Sequence, residues 1–301
     1  MFLIRWISRW PLGLLHASGA ALGWLVWALS PTYRRRLREN ADLAGVDARA
    51  RRRAIAETGR MVAETPWLWL HAGDAELSAR VRWHEDAEFE VFSAAVTGPG
   101  PVIVLTPHMG SFEVAGRAYA LRFGAGKPET VLYRPARSRA LRELQEAARH
   151  RPNMATAPAN LAGVRQMLRA LRRGEMVGLL PDQVPPEGQG VWAPFFGRPA
   201  YTMTLAARLS QQTGAAVFVL RCERLPGGRG WIVHASRPTR PLPTGGDEAS
   251  QALAARIVNE TMEREIAAAP GQYLWGYNRY KPPRAADEPE RATAPASDKP
   301  A

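Results

Sequence analysis

Apolar and polar positions fall into blocks along this chain. From Trp10 to Leu29 the residues WPLGLLHASGAALGWLVWAL run without a formal charge, with His16 and Ser18 as the main polar interruptions. A run of about 20 apolar residues is what a bilayer-crossing helix needs. After it the pattern turns amphipathic: residues 30–45 and 47–70 read as helices, the second with Asp47 as N-cap. Short apolar runs bounded by Gly and Pro then alternate with longer amphipathic segments. Strands are expected at 80–86, 102–106, 129–134, 176–180, 215–224 and 231–238. Helices are expected from 87 through Val96 and at 111–124, 138–151, 160–174, 202–214 and 250–270. Strands alternating with helices predict an α/β fold with a largely parallel sheet flanked by helices. No internal repeat is visible. The boundaries drawn are an N-terminal membrane anchor over 1–30, a catalytic domain over 31–284, and a tail over 285–301. That tail lacks aromatic and large aliphatic residues and is expected to be disordered.

Three apolar runs end alike. VIVLTPH delivers His108, TVLYRP delivers Arg134 and MVGLLPD delivers Asp182. In open α/β sheets ligands bind beyond the carboxyl ends of the strands, so parallel neighbours would bring these groups together. His108 is followed five residues later by Glu113. On one helix that spacing puts side chains roughly 140° apart. The two meet if His108 sits in the loop and Glu113 in the first turn of the next helix, with Gly110 allowing the turn and Ser111 as a possible cap. Glu113 would then fix the imidazole tautomer while the other ring nitrogen takes a proton from a hydroxyl, and amides at the helix N-terminus could stabilise an oxyanion. A packing histidine beside a solvated glutamate reads equally well from this spacing alone.

Charge sharpens the reading. The chain carries a net +12, and residues 1–60 hold 11 Arg against 4 acidic residues, a local +7. Arg5 and Arg9 precede the apolar run, and Arg34, Arg35, Arg36 and Arg38 follow it; the heavier cluster after the run places the main body in the cytoplasm. Trp6, Trp10, Trp24 and Trp27 sit near its ends, as an aromatic belt would have them. A cleaved signal peptide is the alternative, and the arginine run directly behind the segment argues against export. The single cysteine, Cys222, excludes an intrachain disulfide and disfavours a thiolate zinc site. His84, Glu85 and Asp86 crowd one tripeptide and read as a solvated turn, not a metal site.

HMGSFE at 108–113 resembles the H-x-x-x-x-E signature of the glycerolipid acyltransferase superfamily. Four further blocks, YRPAR at 133–137, LLPDQ at 179–183, APFFGRPA at 193–200 and QYLWGYNRYKPP at 272–283, resemble the lauroyl/myristoyl transferases of late lipid A biosynthesis. The resemblance covers roughly residues 10–284. It implies a glycerolipid-acyltransferase-like sheet and transfer of a fatty acyl chain from acyl carrier protein to a hydroxyl of a lipid A precursor. The place of reaction would be the cytoplasmic face of the inner membrane, beside anionic lipids. It implies His108 as general base, Glu113 as its charge partner, and Arg134 and Asp182 as substrate-binding groups. No cofactor or metal is required.

Arg198 is a further substrate-binding candidate, facing a phosphate from the APFFGRPA turn, which could instead be only core packing. Arg279, Lys281 and Arg284 could meet anionic headgroups. This chain has Gly110 and Ser111 where the family carries bulkier residues, and VPPEGQG where it often has a tight Asp-Tyr-Gly-like turn, which bears on acceptor and chain-length choice. Another glycolipid or a lysophospholipid as acceptor, and an acyl-thioester hydrolase, remain open. A nucleic-acid partner is not expected: the charge concentrates beside the apolar segment and no binding motif is visible.

Overall fold

The computed structural model describes residues 2–133, residue 145 and residues 151–285. Most of the helix expected at 138–151 and nearly all of the expected C-terminal tail lie outside them, as does Arg134.

The N-terminal part is helical: α1 (Phe2–Ile7), α2 (Leu12–Leu29), α3 (Pro31–Leu43), α4 (Ala48–Leu70) and α5 (Asp74–Arg80). Asp47 caps α4 as expected, accepting the Ala50 N–H at 2.8 Å. The remainder runs β1 (Val81–His84), α6 (Ala87–Thr97), β2 (Val102–Leu105), α7 (Phe112–Arg122), β3 (Glu129–Tyr133), β4 (Met154–Pro158), α8 (Leu161–Arg172), β5 (Met176–Leu179), β6 (Gly190–Phe195), β7 (Arg198–Met203), α9 (Leu205–Thr213), β8 (Ala216–Arg224), β9 (Trp231–Ser236) and α10 (Glu248–Ala268).

Seven strands form one sheet in the order β1-β9-β8-β2-β5-β3-β4. Every neighbouring pair is parallel except β8–β9. Those two are joined by a short turn with Gly227, Gly228 and Gly230 at positive φ, so the chain doubles back with no crossover helix. The central strands are apolar on both sides because helices cover both faces. On one face Val102, Val104, Met176, Phe218 and Leu220 pack with Ala115, Ala118 and Tyr119 of α7. On the other, Ile103, Leu105, Val177, Leu179 and Val219 meet Met167 and Leu171 of α8, Leu209 of α9, and Val258 and Met262 of α10.

The apolar N-terminal segment is one continuous helix, and it is docked. Among the described residues it alone is long and apolar enough to cross a membrane. It lies along α4 at backbone contact: a Cβ on Gly59 would stand 1.9 Å from the Gly19 carbonyl oxygen, and one on Gly23 would stand 2.3 Å from that of Ile55. Leu12, Leu15 and His16 are buried in this packing, while Leu14, Leu22, Trp24, Leu25, Val26 and Leu29 are exposed.

The sequence reading lacked the short helices α1 and α5, and two features of the sheets. MATAP forms the edge strand β4, although its small residues carry little strand signal and Pro158 can be tolerated only at an edge. APFFGRPAYT is a hairpin, β6–β7, which turns at Phe196 and Gly197 with φ of 47° and 76°. A two-residue turn of that hand matches the twist of the flanking strands.

Candidate active site

β2 and β5 are parallel neighbours and end level, Leu105 opposite Leu179. The Thr106 N–H donates to the Leu179 carbonyl at 2.9 Å and carries the pairing one residue further. The chain then enters the loop 106–111, and beside it β5 runs out into Leu180, Pro181 and Asp182. His108 and Asp182 thus arrive at the same edge from adjacent strands.

They are bonded twice. The His108 backbone N–H donates to Asp182 Oδ2 at 3.0 Å, and His108 Nδ1 lies 2.6 Å from Asp182 Oδ1. Asp182 is 1% exposed. Burial alone would raise its pKa; the His108 charge, the two hydrogen bonds and the Arg279 guanidinium outweigh it and hold the carboxyl below its ordinary value. An ionised carboxylate only accepts, so Nδ1 carries a hydrogen, and in the neutral ring the lone pair is on Nε2. The partner expected on the ring was Glu113, and the structure puts Asp182 there instead. Glu113 stands in the first turn of α7, as expected, but the pairing of β5 with β2 brings Asp182 alongside the ring. Glu113 lines the same cavity and accepts a long contact from Trp69 Nε1–H at 3.5 Å.

The loop is built to hold its shape. Gly110 has φ of 56°, and a Cβ there would stand 1.9 Å from the Cys222 carbonyl oxygen, so no larger residue fits. The Ser111 N–H donates to that carbonyl at 3.0 Å, and the Gly110 N–H to Gln272 O at 2.9 Å. Met109 forms a bridge with Tyr273, and the Leu274 N–H reaches His108 O at 3.3 Å. The block 272–275 therefore braces the loop from below. Ser111 stands at the N-cap position but makes no cap bond; its hydroxyl donates to Glu64 Oε1 at 2.6 Å.

That bond opens into a buried charge network that the sequence reading missed. Arg224, 2% exposed, donates from Nη1 to Glu57 at 2.8 Å, from Nε to Glu64 Oε2 at 2.8 Å, and from Nη2 to Glu64 Oε1 and to Gly110 O at 2.7 Å. His16 Nε2 of α2 sits 2.9 Å from Glu64 Oε2. Burial would raise the Glu64 pKa; the Arg224 charge and hydrogen bonds, joined by His16, bring it down to about 2. Glu57 and Glu64 lie seven apart, on one face of α4, a spacing that could have marked them as a pair turned to a common partner.

His108 and Glu113 line a cavity of 510 Å3. Its walls come from both faces of the sheet. Val104, Gly116, Val131 and Met176 belong to the α7 side, and Leu132, Val164, Leu168 and Leu209 to the α8–α9 side. Two mostly apolar arms therefore meet at the strand ends where His108 stands. Glu129, at the start of β3, is a charged-type residue in the α7-side arm. Arg198 does not line the cavity: the β6–β7 turn carries it outward, where its guanidinium covers the Tyr280 ring at 4.7 Å. Arg279, expected to face headgroups, is buried and donates to Tyr201 O, Thr202 Oγ1 and Asn259 Oδ1. It ties the C-terminal block to β7 and α10. Among the described residues no group of three or more His, Cys, Asp or Glu is arranged to hold a metal.

Comparison with known proteins follows this geometry. The family model described as bacterial lipid A biosynthesis acyltransferase matches residues 1–282. The chain is 29% identical over 240 residues to an Escherichia coli protein named lipid A biosynthesis palmitoleoyltransferase, covering 78% of this chain and 73% of that one. It is 24% identical over 284 residues to the Escherichia coli lipid A biosynthesis lauroyltransferase, covering 91% and 88%. A lipid A biosynthesis acyltransferase of Haemophilus influenzae is 27% identical over 221 residues, covering 72% and 66%. With a match that spans nearly all of its length, the chain belongs to the bacterial lipid A biosynthesis acyltransferases.

Proposed function

We propose that this acyltransferase moves a fatty acyl chain from the thioester of acyl carrier protein to a hydroxyl of a lipid A precursor, with His108 as general base. The observation that carries the reading is the His108–Asp182 pair at the junction of two apolar arms. Nε2, with its lone pair, takes the hydroxyl proton as the acceptor oxygen attacks the thioester carbonyl. Asp182 holds the proton on Nδ1 and stabilises the imidazolium that forms. Collapse of the tetrahedral intermediate breaks the C–S bond, and the imidazolium returns its proton to the departing thiolate. Glu113 supplies a second carboxylate near the imidazolium. Arg134, which follows β3, serves as the phosphate-gripping cation for the acceptor. The apolar arms keep water from the acyl group, which favours transfer over hydrolysis.

The place of reaction is a membrane surface. α2 turns an apolar face outward while its opposite face is locked onto α4, whose N-terminal half carries Arg49, Arg51, Arg52, Arg53 and Arg60. A helix so charged does not enter hydrocarbon, and α2 cannot span a bilayer while docked on it. α2 therefore lies in the interface, with the arginines of α3 and α4 beside anionic headgroups on the cytoplasmic face of the inner membrane. Mass spectrometry of lipid A from a strain lacking the gene tests the function. The reading requires loss of one fatty acyl substituent, restored by the wild-type gene; unchanged lipid A with altered phospholipids would place the acceptor elsewhere.

A further inference from the structure

The α7-side arm of the cavity contains a group that no acyl chain can pair with. Glu129 is 1% exposed, and neither carboxylate oxygen has a hydrogen-bond partner among the described residues. It lies directly beneath α7, where a Cβ on Gly116 would stand 3.5 Å from Oε1. The polar groups of its own wall are committed elsewhere. The Tyr119 hydroxyl donates to Lys127 O at 3.0 Å, and the Lys127 ammonium to the carbonyls of Gly100 and Gly174. Burial pushes the Glu129 pKa well above its ordinary value, which favours the uncharged form.

Strand register fixes its depth. Glu129 pairs with Met176, and Met176 with Val102, so Glu129 lies level with the start of β2. β2 and its last ladder bond carry the chain about 13 Å from Val102 to Thr106, where the loop of His108 begins, and Glu129 lies about 10 Å across two strands. At about 1.2 Å per bond, an extended chain of roughly 13 bonds covers that span. That is the length of a fatty acyl group.

We propose that the Glu129 carboxyl is the end wall of the acyl-donor channel and sets the longest chain that the enzyme transfers. The inference rests on the acyltransferase reading of His108. Along the arm, Val104, Val131, Met154 and Met176 reward each further methylene with burial. At Glu129 the reward stops. Its oxygens are closed off from solvent by α7 and Met154, so the wall is steric: a longer chain advances only by forcing the Glu129 side chain aside. Gly116 belongs to the same device. It lines the arm against Glu129 and Met154, and an alanine there would take up space beside them at ordinary contact distances, with no clash.

The test is transfer from a series of saturated acyl carrier proteins, decanoyl to stearoyl, by the full chain in vesicles containing lipid A precursor. Glu129→Ala should move the longest accepted donor up by about two carbons and raise kcat/KM for that donor, relative to the wild-type optimum, about tenfold. Glu129→Gln, polar and of the same size, should keep the wild-type limit. Gly116→Ala should move the limit the other way, toward shorter donors, and its helix-favouring substitution guards against a result lost to misfolding. A wild-type chain-length profile in active Glu129→Ala and Gly116→Ala enzymes would overturn the proposal. Absence of transfer by the wild-type enzyme from every donor would instead overturn the acyltransferase reading on which it rests.

Discussion

His108 is set apart from an ordinary strand-end histidine by a second contact with the same carboxylate. One Asp182 oxygen takes the ring N–H and the other takes the His108 backbone N–H, so ring and backbone are fixed together. Asp182→Asn keeps the shape but no longer demands a hydrogen on Nδ1, and the base can adopt the wrong tautomer. Transfer should fall about 10²–10⁴-fold with little change in donor KM, as measured by steady-state kinetics. A rise in KM at constant kcat would instead make Asp182 a binding group. Glu129 makes an independent prediction about stability. Its folded pKa is raised, so the native state binds a proton that the unfolded state gives up above about pH 4.3. Stability from this group is therefore full below that pH and is lost as pH rises toward the folded pKa. Glu129→Gln should raise the Tm at pH 7 and change it little near pH 4; an equal shift at both values would show that folding does not raise the Glu129 pKa.

At the scale of elements, the loop 106–111 depends on parts distant in sequence. Gly110 O and the Ser111 hydroxyl are tied to Arg224 and Glu64, and through Glu64 to His16 of α2. Removing one partner of such a buried set leaves an uncompensated charge and typically costs about 3–5 kcal/mol. Arg224→Met should thus lower the denaturation midpoint sharply, whereas Arg53→Met, at an exposed neighbouring pair, should not. The same network sets an acid limit. Glu64 is depressed to about 2 from an ordinary 4.5, so its contribution is present above 4.5 and disappears as pH falls toward 2. Asp182, also depressed, acts in the same direction. Unfolding by acid should begin below pH 4.5, and Glu64→Gln should flatten that limb; an unchanged limb would remove Glu64 as its cause.

Much of this architecture was legible from apolar runs, because β2 and β5 are buried throughout, β3 and β8 over much of their length, and all four are bounded by turn residues. β4 and the β6–β7 hairpin were not, since small residues and prolines carry no strand periodicity. His108 and Asp182 were visible as polar ends of apolar strands. Their bond was not, because it depends on β5 lying next to β2, a fact of strand order. The Arg224 network escaped for a similar reason: its members span positions 16 to 224, and none is unusual alone.

For the whole molecule, the docked apolar helix links the proposed membrane contact to the loop that carries His108. Its inner face carries His16 into the buried network, and its outer face presents Leu22, Trp24, Leu25 and Leu29. Leu25→Glu with Trp24→Glu changes the outer face alone. Cosedimentation with anionic vesicles should weaken at least about tenfold, about 1.4 kcal/mol, while the Tm stays near wild type. Undiminished binding would move the membrane contact elsewhere. The central claim, acyl transfer with His108 as base, is tested most directly by one assay on wild type and His108→Ala. Both are incubated with acyl carrier protein thioester and lipid A precursor, and the product is followed by mass spectrometry. The account predicts a precursor heavier by one acyl group with wild type, and a rate lower by about 10²–10⁴-fold with folded, membrane-bound His108→Ala. Near-normal transfer by His108→Ala would contradict it.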